Sequence, residues 1–121
     1  MTFPNEVEIK FFSQPEVREF FGARWQPSLG DFFWRHEEGF GVVDYELSVI
    51  LTFNRTEYVW LPRPDQLIEM LKEKGYSIVL DTCDEGSASV GVFIMEGMSL
   101  EASAPGPTPA IALALALMEI G

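Results

Sequence analysis

The last dozen residues limit the fold more than any other part of the chain. Pro109 to Ile120 alternates large and small apolar side chains, and Glu119 is its one charged residue. Such alternation imitates a strand. Ala and Leu are strong helix formers, Thr108 can cap, and Pro109 suits a first helical position, so the segment is predicted to be a helix. At about 100° per residue, Ile111, Leu115 and Met118 form one stripe, and Leu113, Leu117 and Ile120 form a second, nearly opposite. A helix that is apolar all round needs cover on both sides. It is expected to lie between two layers: a sheet on one side, and the N-terminal aromatics or a second copy of the chain on the other.

The rest of the chain supplies those layers. A length of 121 residues fits a single domain, residues 1–121. Apolar residues make up 47% of it, enough for a packed core. Fourteen of the sixteen aromatics fall in residues 1–60, so the first half fills space with rings and the second with Leu, Ile, Val and Ala. No linker separates the halves, which argues for one core with an aromatic end.

Pro15 to Phe21 reads as a short helix, with Gly22 as its stop and Glu6 to Phe12 as a preceding turn or helix. Asp31 to Arg35 and Phe40 to Tyr45 are the arms of a hairpin joined by His36-Glu37-Glu38-Gly39. Leu47 to Phe53 is apolar and β-branched and is expected as a third strand, with a helix as the alternative. Glu57 to Leu61 is another strand. Pro64 to Lys74 is a helix with Asp65 at its positive end, Lys72 and Lys74 at its negative end and Gly75 as C-cap. Tyr76 to Leu80 and Val90 to Met95 are strands around an acidic turn at 81–87, with Gly97 ending the second; Ser99 to Ala102 adds a short segment. The expected class is α+β: an antiparallel or mixed sheet with packed helices, arranged as a layered sandwich and closed by a buried C-terminal helix.

Two segments resemble known families. The string Trp60-Leu61-Pro62-Arg63-Pro64-Asp65-Gln66-Leu67-Ile68-Glu69-Met70-Leu71 resembles a WLPRxDQLxEML segment of small uncharacterised proteins encoded by phages and prophages of Gram-positive bacteria. The ending, with Ala102, Ala104, Thr108, Ala110 and Ile111, is similar to the closing segment of the phage ABA sandwich family. Pro105-Gly106-Pro107 lengthens the turn beyond that pattern. The resemblances imply a phage context and a layered fold. They imply no active site.

Charge and composition exclude several functions. The net charge of −11 repels nucleic acid and anionic membranes. No basic residue follows Lys74. No apolar run reaches the roughly 18–20 residues of a spanning helix. The acidic N-terminus lacks a signal-peptide pattern, and one cysteine cannot form an internal disulfide, so a cytoplasmic location in a host cell is expected.

No residue set carries a recognisable chemistry. His36 is the only histidine and sits in the hairpin loop beside two glutamates, without a nucleophile motif. Cys83 lies next to Asp84, which disfavours its thiolate. Asp81, Asp84 and Glu85 could meet a hard cation, but their spacing is not that of an EF-hand, and one His and one Cys cannot build a tetrahedral zinc site. No metal or cofactor is therefore expected. Trp34, Trp60 and Arg63 are the candidates for an interaction surface, because Trp and Arg are enriched in binding hot spots. Core packing is the competing reading for Trp60, and simple solvation that for Arg63.

The leading reading is a non-enzymatic phage or prophage accessory protein that binds another protein. One alternative is an acidic inhibitor or DNA mimic directed at a host nuclease or toxin. Others are a small carboxylate and divalent-metal enzyme, and a homo-oligomer assembled through residues 109–120.

Overall fold

The computed structural model describes residues 4–53, 56–82, 88–94 and 100–120; at 53, 81–82, 88–94 and 100–104 it describes backbone alone. The chain is α+β and divides into two compact units, Thr2–Pro62 and Arg63–Gly121. The division falls where the aromatic half of the sequence gives way to the aliphatic half.

The first unit begins with α1 (Glu6–Phe12) and α2 (Pro15–Arg24). Asn5 caps α1 reciprocally: its side chain accepts from Glu8 N–H at 2.9 Å, and its own N–H donates to Glu8 Oε1 at 3.0 Å. The N-terminal segment is thus a helix of its own. Gly22 does not stop α2, which runs on to Arg24. There the Arg24 guanidinium donates back to the Phe20 carbonyl and lies 3.7 Å over the Phe20 ring.

The hairpin forms from β1 (Phe32–Arg35) and β2 (Gly39–Val42), paired antiparallel with Trp34 opposite Phe40, but its second arm stops at Val42 and Tyr45, expected in that arm, starts a helix instead. Gly41 leaves room for the Phe33 ring, which would have to shift for any larger residue. A Cβ there would sit 2.4 Å from the tip of the Phe33 ring. The next element corrects the expectation of a strand at 47–53. It is a helix, α3 (Tyr45–Phe53), started by Asp44, whose carboxylate accepts from Leu47 N–H at 2.8 Å. The place beside β1 goes instead to β3 (Tyr58–Trp60), giving an antiparallel sheet of order β2-β1-β3.

A connected set of rings fills this unit. Phe12 meets Phe21 edge-on, Phe21 meets Trp60 edge-on, and Trp60 stacks on Trp25. Phe12, Phe21, Trp25 and Trp60 are all buried.

The second unit opens with α4 (Pro64–Glu73), followed by β4 (Tyr76–Thr82), β5 (Ala88–Ile94), β6 (Leu100–Gly106) and α5 (Pro109–Ile120). Gln66 Oε1 accepts from Arg63 N–H at the start of α4, and Gly75 adopts φ +89° beyond its end, the left-handed position that glycine tolerates. The strands form an antiparallel meander, order β4-β5-β6. β6 is longer than the short segment expected at 99–102, running on through Pro105 opposite Ser89 and Gly106 opposite Ala88. An edge strand tolerates proline because one side of it needs no ladder donor.

The C-terminal helix is as predicted: Thr108 Oγ1 accepts from Ile111 N–H, and Pro109 occupies the first turn. α5 lies against β5 and β6, α4 lies against β4, and the two helices touch, which puts both on one face of the sheet. Seven residues of α5 are buried, among them Ile111, Leu113 and Leu117. Among the described residues, no helix is long and apolar enough to cross a membrane.

Candidate functional site

The hairpin tip and the start of β3 frame a cavity of about 670 Å³ in the first unit. Trp34, Arg35 and Val59 line it from the sheet, His36, Glu37 and Glu38 from the hairpin loop, Ser13 from the turn between α1 and α2, and Arg18 from α2. The loop is tight. Glu38 N–H donates to the Arg35 carbonyl, while Glu37 (φ +73°) and Gly39 (φ +88°) both take left-handed backbone angles. Glu37 is the one non-glycine residue in that region among the described residues.

Arg35 is the electrostatic centre. Its two terminal nitrogens reach Glu38 and Glu57, each at 2.8 Å, and its guanidinium lies 5.0 Å over the Tyr58 ring. The bond to Glu57 is the main cause that raises the Arg35 pKa above its ordinary value; Glu38 adds to it, and partial desolvation opposes it. Arg18 donates to the Thr56 carbonyl. A second cavity, of about 630 Å³, continues past Ser13, Arg18 and Thr56 along α2 to Gly22 and Ala23.

The cavity holds charges but no assembled nucleophile. Ser13 Oγ is buried without a hydrogen-bond partner, so His36 does not activate it. His36 is exposed at the loop. Among the described residues, no group of three or more His, Cys, Asp or Glu is placed to hold a metal ion. Cys83, Asp84 and Glu85 lie outside the described residues, as does the side chain of Asp81.

The three residues singled out as an interaction surface have different fates. Trp34 is half-buried on β1 and forms a wall of the cavity. Trp60 is only 7% exposed, stacks on Trp25, and belongs to the core. Arg63 belongs to the second unit, at the start of α4, with its Nε 3.3 Å from Asp65. Only Trp34 of the three lines the cavity.

A surface that the sequence did not single out is the more apolar one. Five large apolar side chains are exposed within eleven consecutive residues: Phe40 and Val42 on β2, and Tyr45, Val49 and Ile50 on α3. Tyr45 is 75% exposed and the other four about half. The signal was present in the spacing. On a helical wheel, Tyr45, Val49 and Ile50 fall within one arc and Leu47 and Leu51 on the other side; Leu51 is fully buried.

By contrast, the stripe of residues 109–120 expected as an oligomer interface is largely covered within one chain. Leu113 and Leu117 have no exposed surface, so neither has area to offer a second copy. Comparison with family models, curated proteins and solved structures finds no match to this chain.

Proposed function

We propose that this chain is a non-enzymatic accessory protein that acts by binding another protein, in the phage or prophage setting that its Trp60–Leu71 segment resembles. The observation that carries the reading is the exposed apolar stretch from Phe40 to Ile50. A water-exposed helix normally turns polar side chains outward, whereas α3 turns out Tyr45, Val49 and Ile50 and buries Leu51. Apolar exposure concentrated in one segment is a feature of protein contact sites. The net charge of −11 favours a partner of opposite sign.

The test is a tagged pull-down from bacterial host extract at low salt, eluted with a salt gradient and read by mass spectrometry. A small set of proteins enriched over an untagged control and released in a narrow salt range is the expected result. No enrichment from host extract or from phage-infected cells would refute the reading.

A further inference from the structure

We propose that the outward face of α3 docks a cationic amphipathic helix of a partner protein. The proposal rests on the protein-binding reading above and names the surface and the chemistry of what covers it.

The shape comes first. Tyr45 and Val49 are four residues apart, so they stack on adjacent turns of one helix face, with Ile50 at the flank. That row is the kind of ridge against which a second helix packs. Phe40 and Val42 are exposed on β2, an edge strand of its sheet, and Val42 precedes the start of α3 by three residues.

Charge then selects the occupant. From His36 to Phe53 there is no Lys or Arg, while Glu37, Glu38, Asp44 and Glu46 are exposed. Two of those acids, Asp44 and Glu46, flank Tyr45 directly. A second copy of this chain would bring the same acids face to face. An anionic lipid surface would be repelled by them. A helix with an apolar stripe edged by Lys or Arg satisfies both the apolar row of Tyr45 and Val49 and the acids beside it.

The probe is a fluorescent model helix of Leu and Lys with an amphipathic pattern, titrated with the whole chain and followed by anisotropy at low and physiological salt. A Leu and Glu peptide of the same pattern and vesicles containing phosphatidylserine are the comparison ligands. Saturable binding of the Leu and Lys helix alone is expected. The surface variant Tyr45→Ser/Ile50→Ser should weaken it by about tenfold at either salt. Asp44→Asn/Glu46→Gln, which keeps a capping side chain at 44, should weaken it several-fold at low salt only. Equal affinity of wild type and the serine variant overturns the proposal, as does equal binding of the acidic peptide or of the vesicles. Repeating the pull-down with the serine variant separates the two claims. A partner retained by that variant removes this surface and leaves protein binding standing, whereas no partner for wild type removes protein binding itself.

Discussion

The indole of Trp25 lies parallel to that of Trp60, with centroids 6.0 Å apart and planes within 5°, and Asp31 fixes Trp25 in that position by accepting its Nε1–H at 3.0 Å. Asp31 is buried and also accepts from Ser28 N–H at 2.9 Å, so one carboxylate ties the loop after α2 to the aromatic core. Asp31→Ala removes the acceptor of the buried Trp25 Nε1–H and should cost about 1–3 kcal/mol. Trp60→Ala removes the centre of the ring cluster and should cost about 3–5 kcal/mol. Urea titration followed by tryptophan fluorescence measures the first, and circular dichroism measures the second.

Gly106 sits where β6 meets α5. A Cβ there would lie 2.7 Å from Ala112 N and 3.0 Å from its Cα, both backbone atoms that cannot swing aside. Gly106→Ala should therefore destabilise by about 1–3 kcal/mol. Gly22→Ala, in a helix with open space at that position, should be neutral or stabilising by up to about 1 kcal/mol. Opposite shifts in Tm for the two glycines are the expected outcome, and a matching drop in both would contradict the packing argument.

Glu37 holds a left-handed backbone conformation without the freedom of glycine. Left-handed geometry costs a residue with a Cβ about 1–2 kcal/mol, part of which is offset by the extra entropy that glycine brings to the unfolded chain. Glu37→Gly should raise stability by about 0.5 kcal/mol in thermal melts. A fall in Tm would mean that the Glu37 side chain contributes more to the hairpin than its backbone takes away.

The Arg35–Glu57 pair should be a weak contributor with a specific salt response. Glu57 is well exposed and Arg35 partly so, so water screens much of the attraction. Glu57→Gln should lower Tm by about 1–2 °C in low salt, and the difference should shrink in 1 M NaCl. The pH dependence has a definite sign. Because the folded state raises the Arg35 pKa, the stabilisation from its charge is complete below the unfolded value and is lost only as pH rises through the folded one, at strongly alkaline pH. The arginine side of the pair should thus give no change in stability between pH 6 and 9, checked by urea midpoints across that range.

Much of the fold could be read from local chemistry. The start of α5 was legible because Thr108 and Pro109 form a complete helix-start signal, and α4 because Pro64, Asp65 and Gly75 mark both of its ends. α3 was harder. Leu47 to Phe53 suits either state by side-chain type, and the deciding group, Asp44, lies outside the apolar run. β6 was underestimated because Pro105 reads as a turn residue unless the segment is known to be an edge strand. Of the candidate surface, residue type points to Trp34, whereas Tyr45, Val49 and Ile50 have the side chains of ordinary strand formers.

The sequence by itself determined the α+β class, the hairpin around His36–Gly39, the burial of the C-terminal helix and the acidic character of whatever surface forms, because these depend on periodicity, caps, turns and net charge. The tertiary structure decided which apolar residues are covered by distant parts of the chain. Trp60 and Tyr45 are both amphipathic aromatics, and residue type alone does not separate them. Trp60 is buried because β3 pairs with β1 and brings it to Trp25 and Phe21, while Tyr45 lies on the outward arc of α3 and remains exposed. Burial is a property of what a residue meets across the chain, and neighbours in sequence do not fix it.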